Sequence, residues 1–154
     1  MDEKQYLSKE KFDELSKELE MLKTEKRRDV AEKLEFAKSL GDLSENAEYQ
    51  EARDDQAKVE DRILNLEAIL KFAEIVSHKK SDTVSIGSAV VVCKKGQKDE
   101  QTFYIVGSEE VDMSAGKISN KSPLGMSLLG KTKGDVTECE TPNGKVEYKI
   151  VNVK

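Results

Sequence analysis

Apolar positions in the first half of the chain recur at helical spacing. Phe12, Leu15, Leu19 and Leu22 follow steps of three and four. The pattern then slips to steps of four, through Lys26, Val30 and Leu34, before Ala37. Such a slip is a stutter, which locally unwinds a coiled coil. A second run is more regular: Tyr49, Ala52, Gln56, Val59, Ile63, Leu66, Leu70 and Ala73 alternate steps of three and four. A repeat of this kind places its members on one seam. Only Leu40-Gly41-Asp42-Leu43-Ser44 separates the runs, and that is room for a reversal alone. The pattern therefore predicts an antiparallel coiled-coil hairpin over residues 1–76, with its tip at 41–48. About 32 residues per arm at 1.5 Å each gives a rod on the order of 45–50 Å long.

The second half changes period. Strand-like runs cover Ile86–Cys93, Thr102–Val106, Lys117–Ser119, Val136–Cys139 and Val146–Val153. Thr141-Pro142-Asn143-Gly144 joins the last two, and Asn-Gly between such runs signals a hairpin. Leu124, Met126, Leu128 and Leu129, between Pro123 and Gly130, suggest one helix of about two turns. The expected class is α+β: the hairpin, a polar linker over 77–85, and a small sheet domain over 86–154 with one face covered by that helix.

Composition sharpens this division. Both prolines and eight of the nine glycines lie beyond residue 77; the exception is Gly41. Charged residues make up 37% of the chain, above the usual quarter or so. Residues 1–77 hold 21 acids against 14 bases, and residues 78–154 hold 10 against 12. A two-helix rod has little interior, so a charge-rich surface is what it needs. The net charge of −5 argues against a general binder of nucleic-acid backbone but leaves room for a local basic patch. No apolar run approaches the roughly 20 residues of a membrane span, and the start, MDEKQYLSKEK, lacks the apolar core of a signal peptide. Cys93 and Cys139 fit neither a CxxC pair nor a zinc spacing. A cytoplasmic protein, with no membrane partner and no small-molecule substrate, is expected.

The end of the rod carries the candidate chemistry. Asp42 and Glu45 are the carboxylates nearest the reversal. One reading makes Asp42 the N-cap of the second helix with Glu45 completing a capping box, or Ser44 the cap instead. The other reading is metal chemistry: Mg²⁺ is often held by one or two carboxylates plus substrate phosphates. Two carboxylates on a protrusion are too few to hold the ion alone. They suit a site whose other ligands come from another macromolecule, in which an added ligand steadies the second ion and orients the attacking water. Behind them, Lys23, Lys26, Arg27 and Arg28 form the densest basic cluster, with Lys33, Lys38 and Arg53 nearer the tip. These bases suit either solvated i,i+4 pairs, with Glu25 and Asp29 at hand, or contact with RNA phosphates. His78, in the linker beside Lys79 and Lys80, is assigned no role.

The run Gly41-Asp42-Leu43-Ser44-Glu45-Asn46-Ala47-Glu48-Tyr49, followed by Ala52-Arg53, resembles the signature of the bacterial Gre transcript cleavage factors, a family of transcription elongation factors. Ile118-Ser119, Ser122-Pro123-Leu124-Gly125, Leu128-Leu129-Gly130-Lys131, Gly134-Asp135-Val136 and Thr141-Pro142-Asn143-Gly144 resemble that family's C-terminal domain, in order. The resemblance covers essentially the whole chain and is closest to the GreA branch, whose basic patch is modest. It implies an FKBP-like C-terminal domain that binds RNA polymerase, and a coiled coil that enters the polymerase secondary channel. It implies that Asp42 and Glu45 help hold the second Mg²⁺ and a water there, so that the polymerase cleaves the 3′ end of backtracked RNA. On that reading the chain is a catalytic accessory rather than an enzyme. It has no cofactor of its own, and the Mg²⁺ is shared with the polymerase site. Lys38 and Arg53 are the RNA-contacting candidates; Ser122, Pro123 and Leu124 are the polymerase-binding ones. Two rivals stand beside it: a paralogue that occupies the channel and inhibits, against which the intact Asp42 and Glu45 argue, and an isomerase or chaperone. For an isomerase pocket the second half offers only Phe103, Tyr104 and Tyr148 as aromatics.

Overall fold

A computed structural model describes residues 3–77 and 80–154; His78 and Lys79, both placed in the linker by the sequence, lie outside the described residues. Two compact units result, Phe12–Phe72 and the combination of Met1–Lys11 with Ala73–Lys154.

The first unit is the helical hairpin. Helix α1 (Lys9–Met21) runs through a π-helical turn, Leu22–Lys26, into α2 (Arg27–Ser39). After the reversal, α3 (Ala47–Lys71) returns over 25 residues, roughly 37 Å, so the return arm is shorter than the spacing suggested. Leu15, Leu22, Val30 and Ala37 are buried on one arm, and Ala52, Val59, Ile63, Leu66 and Ile69 on the other. The buried positions of the outgoing arm advance by seven, eight and seven residues. The step of eight spans the π-turn, where the wider i→i+5 ring takes in the extra residue. The stutter is therefore absorbed in one local turn, and Lys26, which the pattern put on the seam, is exposed, as is Gln56.

Ion pairs cross between the arms and help fix their register. Arg27 forks onto Glu60 at 2.8 Å through both Nε and Nη2. Arg62 does the same to Glu18 at 2.7 and 3.1 Å, and Lys23 pairs with Glu67. Each pair is worth little by itself. Their effect is on alignment, since an antiparallel seam of similar aliphatic residues tolerates slippage.

The second unit is built on a mixed five-stranded sheet in the order β5-β4-β3-β7-β6. Its strands are β3 (Ala89–Lys94), β4 (Glu100–Val106), β5 (Lys117–Ser119), β6 (Val136–Thr141) and β7 (Gly144–Val153). All neighbours are antiparallel except β4 and β5. Val90 and Val92, Phe103 and Ile105, and Tyr148 and Ile150 alternate onto one face, as period-two burial requires. There they pack with Ile118 and with Leu124, Leu128 and Leu129, from helix α4 (Pro123–Leu128) and its end. The β6–β7 hairpin closes where predicted but by another route. Thr141 pairs with Gly144, leaving Pro142 and Asn143 as the loop, and Gly144 takes the positive φ of +113°.

Two short strands escape the periodicity. β1 (Gln5–Leu7) and β2 (Ala73–Ile75) pair in parallel and belong to the same unit as the sheet. Gly107 lies so close to this pair that a Cβ there would stand 1.9 Å from the Tyr6 carbonyl oxygen. Ser8 starts α1 by accepting from Lys11 N at 3.2 Å, and its own N and Oγ donate to Glu110 at 3.0 and 2.6 Å. Val84 is buried and exchanges backbone hydrogen bonds with Gly130 and Lys131. No helix among the described residues is long and apolar enough to cross a membrane.

Candidate functional site

The tip spans Leu40–Asn46. Gly41 leaves α2 at φ +92°, a conformation that costs a residue with a Cβ, while its N–H bonds back to Lys38 O at 3.3 Å. Asp42 then closes a small turn. Its Oδ1 accepts from Ser44 N at 3.3 Å and from Ser44 Oγ at 2.8 Å, and its carbonyl accepts from Glu45 N at 3.3 Å. This is an Asx-type turn, and neither Asp42 nor Ser44 caps α3.

The cap is Asn46. Its Oδ1 accepts from Tyr49 N at 3.0 Å, and its backbone is extended, as an N-cap requires. Its Nδ2 donates to Ala37 O at 2.6 Å and to Gly41 O at 3.2 Å. The capping-box alternative for Asp42 and Glu45 thus gives way, because a residue nearer the helix start fills the position. Asn46 is thus a site residue that the reading of the motif's carboxylates does not single out. The available signal was its rank among the preferred N-cap residues, directly before Ala47.

This leaves Asp42 and Glu45 with little structural duty. Asp42 Oδ2 and both Glu45 carboxylate oxygens have no hydrogen bond or ion pair among the described residues, and both residues are exposed. With Leu40, Gly41, Asn46, Ala47 and Glu48 they line a shallow concavity. Such hard oxygens suit Mg²⁺, but two carboxylates leave most of an octahedral shell to be supplied elsewhere. Among the described residues no group of three or more His, Cys, Asp or Glu is arranged to hold a metal ion.

The two RNA-contact candidates flank this end. Lys38 is exposed in the last turn of α2 and makes no ion pair among the described residues. Arg53 places its guanidinium carbon 5.9 Å from the Tyr49 ring centroid, within cation–π range. Of the denser cluster further back, Lys23 and Arg27 are engaged with Glu67 and Glu60, so half of that cluster serves the hairpin itself.

In the sheet unit, Ser122, Pro123 and Leu124 open α4. Ser122 Oγ accepts from Gly125 N at 3.0 Å and donates to Ser119 O at 2.6 Å. Pro123 occupies the first helical position, where its missing N–H costs nothing. Leu124 is half-buried against the sheet core. Gly125 is required, since a Cβ would lie 2.0 Å from Ser119 O. The loop therefore presents Pro123 outward, with Lys121 and Met126 exposed beside it, and Lys121 meets Glu3 at 2.7 Å.

The chain thus belongs to the class that joins a helical hairpin, here with two exposed carboxylates at its turn, to a small mixed-sheet domain. A sequence-family model described as transcription elongation factor, N-terminal, matches residues 5–75, and one described as transcription elongation factor, GreA/GreB, C-term, matches residues 79–154. The chain is 46% identical over 150 residues to transcription elongation factor GreA of Acetivibrio thermocellus, covering 96% of this chain and 94% of that one. It is 45% identical over 157 residues to the GreA of Streptococcus sanguinis, covering 100% and 98%. Among solved structures it is similar to GreA factor homolog 1 of Thermus thermophilus, with 27% identity, 99% of each chain covered and a TM-score of 0.46. At that score the assignment rests on the sequence matches. The chain belongs to the GreA/GreB family of transcription elongation factors.

Proposed function

We infer that this chain binds bacterial RNA polymerase and stimulates cleavage of the nascent transcript, acting as an accessory whose active site belongs to the polymerase. The observation that carries this is the tip. Asp42 and Glu45 stand in the family's motif at the end of a hairpin, and three of their four carboxylate oxygens lack a partner among the described residues. Free oxygens at the end of a rod are arranged for a target that the chain itself does not contain.

The finer reading follows from the same residues. The hairpin enters the secondary channel of the polymerase, and the tip carboxylates reach its active site. There Asp42 and Glu45 would hold a Mg²⁺ whose remaining ligands belong to the polymerase and the RNA; when bound, the ion supplies charge stabilisation and an activated water. Lys38 and Arg53 contact phosphates near the RNA 3′ end, a role supported by their exposure, and the Tyr49 ring holds Arg53 in place. The sheet domain, read as FKBP-like, binds the polymerase around Ser122, Pro123 and Leu124. The exposed Pro123 beside Met126 supports this, a small apolar step on an otherwise polar loop.

The test is RNA cleavage in a purified, backtracked elongation complex. The wild-type chain is expected to accelerate release of 3′ fragments, and Asp42→Ala with Glu45→Ala to remove the acceleration. No added cleavage, or inhibition, by the wild type would overturn the reading in favour of the inhibitory paralogue.

A further inference from the structure

Between the two free carboxylates and the helices that carry them stands one side-chain amide. Asn46 uses three of its four side-chain bonding directions at the tip, both donors among them. Oδ1 receives Tyr49 N from the first turn of α3. Nδ2 gives one bond to Ala37 O in the last turn of α2 and another to Gly41 O inside the reversal. A helix C-terminus leaves its last carbonyls, and a helix N-terminus its first N–H groups, in need of partners. Asn46 bonds one of each, joining Leu40 N at Ala37 O and receiving Tyr49 N, and so ties the end of one helix to the start of the next.

We propose that Asn46 is the positioning residue of the tip: its amide fixes the Gly41–Glu45 reversal against both helices, so that Asp42 and Glu45 are held at one separation. The chemistry of the side chain supports this assignment. Capping alone is served about equally by Asn, Asp or Ser. Only a short amide offers an acceptor toward α3 and two donors toward α2 and the turn. Asp would set a carboxylate oxygen against the Ala37 and Gly41 carbonyls. Ser carries one hydroxyl and falls short of them. Within the turn, Asp42 is steadied only by Ser44 and by Glu45 N. Apart from Asn46, the hydrogen bonds from the reversal to α2 are Leu40 N to Ala37 O at 3.2 Å and Gly41 N to Lys38 O at 3.3 Å, both before Asp42, so Asn46 is what ties the far side of the turn back to Ala37. A two-ligand site is sensitive to such loosening, because a displacement of about 1 Å at reacting groups can cost on the order of a hundredfold in rate.

This inference rests on the accessory reading of Asp42 and Glu45, and the experiment separates the two. The variants are Asn46→Asp and Asn46→Ser, both of which keep a cap for α3. Stimulated cleavage is measured against factor concentration and against Mg²⁺ concentration, with polymerase affinity measured separately by competition binding. For both variants the saturating cleavage rate is expected to fall by roughly ten- to a hundredfold. The Mg²⁺ concentration for half-maximal stimulation should rise, while polymerase affinity and helical circular dichroism stay at wild-type values. In the free wild-type protein, the Asn46 side-chain amide protons should exchange with water more slowly than those of the exposed Gln50. Wild-type rates and Mg²⁺ dependence in both variants would overturn the proposal while leaving the accessory reading intact. A rate loss that tracks lost helicity or lost polymerase affinity would overturn it too, because that is what a cap or a binding residue would give. Failure of the wild type to stimulate cleavage would remove the reading and this inference together.

Discussion

Two helix starts in this chain are built alike and used differently. At the tip, Asn46 caps α3, and the exposed carboxylates of Asp42 and Glu45 lie beside it; among the described residues the Glu45 carboxylate has no bond and only one Asp42 carboxylate oxygen is occupied. In the sheet unit, Ser122 caps α4, and the residues proposed to contact polymerase are the cap itself, the first helical residue and a core-packed leucine. Under the proposed function, the tip separates holding from acting, whereas the start of α4 merges them. Substitutions at the first should change activity without changing stability. Those at the second should do both, except at Pro123.

The sharpest break between the two regions is expected from Asp42→Ala with Glu45→Ala. Cleavage stimulation should fall by roughly a hundredfold or more, the scale of losing a preorganised charge-stabilising group. The melting temperature should fall by no more than about 1–2 °C, because the only bonds lost among the described residues are the exposed ones from Ser44 to Asp42. A melting temperature lowered well beyond that would mean the carboxylates do hold the tip, and the contrast would collapse. Next in size is Leu124→Ala. A half-buried leucine packed on the sheet core should cost about 2 kcal/mol, the low end for such truncations, seen as a lower denaturant midpoint. Ser122→Ala should cost about 1 kcal/mol, the usual value of a lost N-cap. Pro123→Ala should leave the midpoint nearly unchanged and weaken polymerase binding. If Pro123→Ala destabilises as much as Ser122→Ala, the outward proline is structural as well.

These differences explain what the sequence could and could not reveal. The hairpin was legible because its seam repeats over many turns, and even the stutter left a trace in the steps of four. What that trace became was not legible. A slip of one residue is compatible with gradual unwinding or with a single π-turn, and packing at Leu22 and Val30 selected the latter. β1 and β2, of three residues each, are too short to carry a period; they exist because each finds the other across some 65 residues of intervening chain, as in the Gln5–Ala73 pairing. At the tip, residue types pointed to carboxylate chemistry, but several residues in a row were acceptable caps. Which of them caps depends on where α3 begins, and at Asn46 the cap side chain also bonds Ala37 on the other arm, a contact no local pattern displays. The short helix between Pro123 and Gly130 was legible from its leucines, but its start was not: Pro123 and Leu124 lie within α4. That Ser122 and Leu124 face inward was not legible either, because a two-turn helix carries too few positions to define a buried face.

The smallest effect separates the two units by the kind of bond that steadies their carboxylates. In the hairpin, Glu60 has its pKa lowered chiefly by the hydrogen bond from Arg27, a cation. In the sheet unit, Asp112 is lowered chiefly by the Ser114 hydroxyl, and Asp135 by the Thr132 backbone N–H and then its hydroxyl. All three pKa values are depressed on folding, so each group's contribution to stability is present above the unfolded carboxylate pKa and is lost as pH falls through the folded value. The sign is shared; the salt dependence is not. An exposed ion pair weakens as salt shortens the Debye length from about 10 Å at 0.1 M to about 3 Å at 1 M, whereas a bond from a neutral donor changes little. Carboxyl carbon NMR titrations at low and high salt should show the Glu60 midpoint moving up toward the ordinary glutamate range, with Asp112 and Asp135 nearly fixed. Arg27→Met should raise the Glu60 midpoint and remove its salt dependence. If Asp112 and Asp135 shift with salt as far as Glu60 does, then Lys117 and Lys131, which lie among the weaker contributors at these two sites, govern them instead. The sheet unit would then be tuned by charge in the same way as the rod.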